Sequence, residues 1–182
     1  QLAAYFSSLA AAFATTAQGR PVAGHAVRMA GVTFRLRCAG PALAAAVLPA
    51  LAHLPPADAS GSAVAFDLWD AATTGVWPPR PPFSADDYRR YGQRAVAYDG
   101  PFSLMHAPAA GQLFAYDRAT RQGYFWVEDA SQLSIYERAA PLQTLFHWAL
   151  REFGWQIVHA AGVGTEAGGV LLIGATGAGK ST

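Results

Sequence analysis

One stretch of the sequence is the most informative about the fold of this chain: Val170-Leu171-Leu172-Ile173-Gly174-Ala175-Thr176-Gly177-Ala178-Gly179-Lys180-Ser181. Its first four residues form a short apolar run typical of a β-strand. The next eight match the pattern G-x-x-x-x-G-K-[ST], in which glycines let successive backbone N–H groups point inward around an anion. The stretch therefore predicts a strand–loop–helix unit that holds phosphates, with the helix beginning at Lys180.

The loop contains the only lysine of the chain, Lys180, whereas the other twelve basic residues are arginines. A compact ammonium reaches between the β- and γ-phosphates of a nucleotide, where a planar guanidinium does not fit. The hydroxyl of Ser181 is predicted to bind Mg²⁺, because hard cations take oxygen ligands. We therefore expect ATP and Mg²⁺ as cofactors. The predicted nucleotide-binding residues are Gly174, Ala175, Thr176, Gly177, Ala178, Gly179, Lys180, Ser181 and Thr182.

The amino-acid composition limits the classes of protein to which this chain can belong. The hydrophobic content of 52% is ample for a packed core, and the net charge of +1 leaves no electrostatic footprint for nucleic acid. The single cysteine, Cys38, excludes an internal disulfide and fits a reducing cytosol. No apolar run approaches the roughly 18 residues that a membrane span needs. We expect a cytoplasmic protein without nucleic-acid or membrane partners.

The first half of the chain has the pattern of an α/β region. An apolar helical face begins at Leu2, and Gly19 and Pro21 end that helix. Strands are predicted at 33–38 and 63–69, with a helix between them over 41–54. These elements predict a small N-terminal α/β region over residues 1–76, followed by a proline-rich connector at 77–83.

The second half of the chain also alternates predicted strands with a predicted helix. Two aromatic strands, 112–117 and 123–127, flank a polar turn and predict a β-hairpin within a region spanning 84–140. A helix beginning at Pro141 carries apolar residues at helical spacing, with Gly154 where a C-terminal glycine belongs. Strands are predicted at 155–159 and 170–173. The fold class is therefore α/β, with residues 141–182 beginning a P-loop domain.

The stretch His159-Ala160-Ala161-Gly162-Val163, followed by a Gly-Gly turn and the phosphate loop, resembles the entry to the catalytic domain of HPr kinase/phosphorylase. HPr-kinase-related serine kinases have segments similar to four stretches of this chain, which are 124–127, 136–138, 141–142 and 145–148. The specific match covers about 141–182. The first hundred residues do not match the regulatory domain of the HPr enzymes, so the resemblance does not identify HPr as the acceptor.

The resemblance implies transfer of the ATP γ-phosphoryl group to a serine of a protein or peptide. Lys180 would stabilise the transferred group, and His159 would lie near it. From the residues alone, His159 is equally well explained as a core histidine at the end of a strand. The chain begins at Gln1 and stops at Thr182, so we expect a fragment of a longer protein that is inactive by itself.

Two other functions remain open at this stage. The loop would also suit an ATP-binding cassette or another P-loop ATPase. Alternatively, residues 1–140 would bind a leader peptide or partner protein, with the loop acting as a nucleotide switch. A homo-oligomer is a further open alternative.

Overall fold

One seven-stranded sheet organises the chain, in a computed structural model that describes residues 1–61, 63–90 and 93–174. The strands are β1 (Val22–Met29), β2 (Val32–Ala39), β3 (Val64–Asp70), β4 (Ala95–Asp99), β5 (Phe102–Ala107), β6 (Gln112–Asp117) and β7 (Gln122–Val127). Their order in the sheet is β1-β2-β3-β7-β6-β5-β4. The pairs β2–β3 and β3–β7 are parallel and all others are antiparallel, so the sheet is mixed.

Helices cover the sheet and connect its strands. They are α1 (Leu2–Ala17), α2 (Pro41–Leu51), α3 (Ala71–Thr74), α4 (Ala85–Arg90), α5 (Ile135–Ala139) and α6 (Gln143–Arg151). Two further strands, β8 (Ala160–Thr165) and β9 (Gly168–Ile173), form a separate two-stranded sheet. The mixed α/β class predicted from the sequence is confirmed. No helix among the described residues is long and apolar enough to cross a membrane.

The central strands are buried on both faces, because their side chains alternate between two apolar clusters. On β3, for example, Phe66 and Leu68 belong to the cluster under α2 and α6, whereas Trp69 belongs to the cluster under α1. On β7, Phe125 and Trp126 divide in the same way. The sheet is therefore the middle layer between α1 on one face and α2 with α6 on the other.

Most predicted elements are confirmed. The helix beginning at Leu2, the strands at 33–38 and 63–69 and the hairpin at 112–127 all form, with ends shifted by one or two residues. Helix α2 continues only to Leu51, two residues beyond Pro49, since a proline there limits the helix. Strands β1, β4 and β5 were not predicted.

The prediction of a strand at 155–159 is wrong. These residues have no regular secondary structure, and the first strand of the hairpin begins only at Ala160. Trp155 and Val158 are both about half exposed, at 53% and 48%. The apolar pattern resembled a buried strand, but among the described residues no neighbouring strand pairs with it.

The predicted divisions of the chain do not coincide with breaks in the sheet. β3 lies before the proline-rich segment 77–83 and β7 after it, yet the two strands pair directly. The segment itself packs against the same unit: the Tyr5 hydroxyl donates a hydrogen bond to the Pro79 carbonyl at 3.1 Å, and the Trp77 ring lies 5.2 Å from that of Trp126. Helix α6, which follows residue 141, also belongs to the core under the sheet.

Gly123 on β7 is packed closely against the aromatic rings of this core. A Cβ atom there would lie 2.5 Å from Cδ1 of Phe66, whose ring is fully buried between neighbouring aromatic rings. We expect Gly123→Ala to lower the free energy of unfolding by about 1–3 kcal/mol, because the ring must move in a filled core. Urea unfolding followed by tryptophan fluorescence measures the change.

Gly24→Ala on β1 is the matched control, since a Cβ there would meet no atom within 4 Å. Its free energy of unfolding is expected to stay within about 0.5 kcal/mol of the unsubstituted chain. Equal effects of the two substitutions would contradict this account of the core.

Candidate functional site

The hairpin formed by β8 and β9 carries the described part of the predicted phosphate-binding site. Its strands pair antiparallel from Ala160 opposite Ile173 to Thr165 opposite Gly168. Only Glu166 and Ala167 connect them, and the Ala167 N–H donates to the Thr165 hydroxyl at 3.3 Å. The chain leaves β9 at Ile173 and enters Gly174, the first glycine of the predicted loop.

The register of the hairpin brings two predicted site residues to the same end. Ala160 pairs with Ile173, and His159 and Gly174 are the next residues outward on the two strands. His159 is exposed and precedes the strand, rather than ending one as predicted. The hairpin therefore places an accessible imidazole-bearing residue beside the point where the phosphate loop begins.

The other predicted site residues lie outside the described part of the chain. These are Ala175, Thr176, Gly177, Ala178, Gly179, Lys180, Ser181 and Thr182. Their roles in holding phosphates and Mg²⁺ stay predictions from the sequence.

The connection into the hairpin starts from a fixed point in the core. α6 buries Leu145, Phe146 and Leu150 against the sheet. It ends as predicted at Gly154, whose φ of 79° is readily adopted only by glycine. The N–H groups of Gly154 and Trp155 donate to the carbonyls of Arg151 and Leu150 at 3.2 and 3.1 Å, which is the Schellman pattern of helix termination. The segment that leads to His159 is therefore anchored at its start.

The surface of the hairpin is unusually apolar for exposed strands. Val170, Leu171, Leu172 and Ile173 are all exposed on β9, by between 42% and 72%. Consecutive apolar residues are typical of strands that are covered on both faces. Among the described residues, nothing covers either face of this hairpin to that degree.

An ion pair in the main sheet joins a half-exposed arginine to a buried aspartate. Arg37 on β2 and Asp67 on β3 are cross-strand neighbours, and the guanidinium donates two hydrogen bonds of 2.6 Å to the carboxylate. Burial raises the pKa of Asp67, although the hydrogen bonds and charge of Arg37 oppose that shift. Because both carboxylate oxygens are occupied, the pair holds the two strands together rather than presenting a reactive group. No group of acidic, histidine or cysteine residues in the described chain is placed to hold a metal ion.

A cavity of about 230 Å³ lies apart from the hairpin and is lined in part by residues of the segments 124–127, 136–138 and 141–142. Its apolar floor consists of core side chains from α2, β5, β6, β7 and the segment before α5. The members of this floor are Val47, Met105, Phe114, Phe125 and Leu133. Its polar lining consists of Arg94, Gln112, Glu137, Gln143 and Thr144. The cavity has no continuous sequence signature, because its residues come from segments that are far apart along the chain.

The carboxylate in this cavity is held firmly. One oxygen of Glu137 accepts a hydrogen bond from the amide of Gln112, which is 6% exposed, and the other accepts one from the Ser134 backbone N–H at 2.8 Å. Burial alone would raise the pKa of Glu137, but these hydrogen bonds and the charge of Arg94 lower it on balance. Glu137 is therefore ionised at neutral pH, with its oxygens already in use.

Close backbone packing at Gly164 on β8 provides a test of whether the hairpin positions the predicted phosphate loop. A Cβ atom at Gly164 would lie 3.0 Å from the Gly168 carbonyl oxygen and from the Cα of Gly169. We expect Gly164→Ala to destabilise the hairpin by about 1 kcal/mol and to speed amide exchange in β8 and β9 about fivefold. Hydrogen exchange followed by NMR measures this effect.

Gly162→Ala provides the control on the same strand, because a Cβ there would meet no atom within 4 Å. Its hairpin amides are expected to exchange at the unsubstituted rate, as are the amides of β3 in both variants. Faster exchange throughout the main sheet of Gly164→Ala would show that the two sheets do not respond separately.

No family model, curated protein or solved structure matches this chain.

Proposed function

We propose that the chain belongs to an ATP-dependent serine kinase related to HPr kinase/phosphorylase, which transfers the γ-phosphoryl group of ATP to a serine of a protein or peptide. One observation carries the proposal: the complete G-x-x-x-x-G-K-S sequence follows directly on β9. A phosphate-binding loop of this type requires a strand immediately before its first glycine.

The chemistry of the donor set fits a nucleotide. The glycines of 174–179 allow the backbone amides to surround phosphate oxygens, and the Lys180 ammonium adds a positive charge. The Ser181 hydroxyl is the kind of oxygen ligand that Mg²⁺ accepts. Mg²⁺, when bound, neutralises charge on the β- and γ-phosphates. The chain's own contribution is to hold and orient the nucleotide.

His159 is proposed to act at the reacting end of the nucleotide. The hairpin register puts it beside Gly174, and its exposure leaves the imidazole accessible. An imidazole can hold or release a proton near neutral pH, which suits a residue that assists a serine hydroxyl. Its proposed role is therefore to position or deprotonate the acceptor, while Lys180 binds phosphate.

Lys180→Ala is expected to reduce phosphoryl transfer by about 100- to 1,000-fold in the full-length protein, because one charge that stabilises the transferred group is lost. The assay uses radiolabelled ATP with a library of serine-containing peptides, and mass spectrometry identifies phosphoserine. The same library with alanine in place of serine is the control substrate. The unfolding temperature of the variant is expected to be unchanged.

Two outcomes would overturn the kinase proposal. Undiminished transfer by Lys180→Ala would remove the loop from the reaction. ATP hydrolysis without labelling of any serine peptide would instead favour a P-loop ATPase.

His159→Ala is expected to lower kcat by about 100-fold or more while leaving the dissociation constant for ATP within about twofold. His53→Ala is the matched control, since His53 is an exposed histidine near the end of α2. Equal kinetics of the two variants would return His159 to a purely structural role.

A further inference from the structure

A second cleft, of about 370 Å³, lies where the end of α6 meets the strands β4 and β5. It shares no residue with the cavity of about 230 Å³. Its lining consists of Tyr98, Ser103, Arg118, Trp148, Arg151 and Glu152. The volume falls within the roughly 300–1,000 Å³ typical of sites for small organic ligands.

A buried hydroxyl in this cleft has no hydrogen-bond partner. Ser103 on β5 is 6% exposed, and its side chain makes no hydrogen bond with any residue that the structure describes. Most buried hydroxyl groups have a partner, because losing water without gaining a hydrogen bond costs free energy. Since Ser103 lines the cleft, its hydroxyl is available to a molecule that enters. This hydroxyl is the group that points to a ligand.

Two guanidinium groups line the same cleft from different elements. Arg151 is exposed at the end of α6 and has no acidic group within 4 Å in the described part of the chain. Arg118, in the turn between β6 and β7, donates a hydrogen bond to the Gly100 carbonyl, and its other N–H groups remain for a ligand. Arginine pairs with the oxygens of an anionic group through parallel hydrogen bonds. The lining therefore favours an anion.

The carboxylate of Glu152 limits the charge of that anion. One of its oxygens lies 3.8 Å from Nε of Arg121, and its side chain is 18% exposed. Burial and then the nearby Glu152 carboxylate raise the pKa of Tyr116, which lies opposite Ser103 on β6. Glu152 is thus a negative charge at the side of the cleft. It repels a dianionic phosphate more strongly than a singly charged carboxylate.

The apolar part of the cleft is aromatic. Tyr98 lies opposite Ser103 in the register of β4 and β5, so both side chains are on the same face of the sheet. The Tyr98 ring is 69% exposed and meets the ring of Trp148 edge to face, with centroids 6.2 Å apart. Trp148 itself is only 8% exposed and belongs to the core. An exposed ring held against a buried one provides a surface on which a flat aromatic ligand can stack.

We propose that this cleft binds a small aromatic carboxylate. The carboxylate accepts hydrogen bonds from the Ser103 hydroxyl and from the two arginines, and the aromatic ring of the ligand packs against Tyr98. The site is independent of the proposed phosphoryl transfer, since none of its residues belongs to the hairpin or the predicted phosphate loop. Either proposal can therefore fail without the other.

The test uses 2-naphthoate as the probe, with the 182-residue chain observed by ¹H–¹⁵N NMR. We expect saturable binding with a dissociation constant of about 1 mM, and shifts centred on the Ser103 amide and the Trp148 indole N–H. 2-Naphthamide keeps the ring without the charge, and hexanoate keeps the charge without an aromatic ring. Each is expected to bind at least about tenfold more weakly, because each lacks one half of the complementary chemistry.

Ser103→Ala is expected to weaken 2-naphthoate binding by about fivefold or more. Its unfolding temperature is not expected to fall, because the hydroxyl that is removed has no partner in the described part of the protein. Both quantities are measured on the same preparation, by NMR titration and by thermal unfolding. A role of Ser103 in stability alone would change the unfolding temperature and leave the affinity as it was.

Arg151→Gln is expected to weaken 2-naphthoate binding by about tenfold or more without changing the unfolding temperature, because the side chain is exposed. Arg28→Gln is the matched control: it removes the same charge from an exposed position on β1 outside the cleft, and its affinity is expected to be unchanged. Four outcomes would each overturn the proposal: no saturable binding, shifts confined to residues outside the cleft, equal binding of either control compound, or unchanged affinity of Ser103→Ala or Arg151→Gln.

Discussion

The requirement that the three central strands be buried on both faces determines the rest of the structure. β3, β7 and β6 are the central strands of the sheet and are buried along nearly their whole length, so two layers of helix must cover them. On one face, the ring of Phe146 packs edge to face against Phe34 and Phe66, with centroids 5.0 and 5.4 Å apart. This contact ties α6 to the sheet and so fixes where the chain turns toward the hairpin.

The hairpin follows the large sheet along the chain and pairs with none of its strands. The large sheet supplies a rigid body, and the Schellman turn at Gly154 ends its last helix at a defined place. The hairpin that follows begins directly after His159 and leads into the predicted phosphate-loop sequence. The predicted phosphate loop therefore follows a short element outside the main core.

Sequence alone predicted the elements whose apolar residues have a clear period. The helix through Leu2 and the strands with alternating burial, such as β2, fall in this group. β1 was missed because it contains Gly24 and His25 and faces solvent along much of its length. The strand predicted at 155–159 is the opposite error and also comes from reliance on periodicity. An apolar pattern shows which residues could be buried, but it does not show whether a neighbouring strand is present to pair with them.

Candidate sites divide in a similar way. The predicted phosphate loop is contiguous in sequence and could be proposed from its residues, whereas the cavity brings together Arg94, Gln112 and Glu137 only after folding. The exposed hairpin has one further consequence, for colloidal behaviour. Gly168–Ile173 is an uncharged strand with four large apolar side chains exposed, and such segments pair with copies of themselves. A net charge of +1 provides almost no repulsion between molecules, so the solubility of this chain depends on those four side chains.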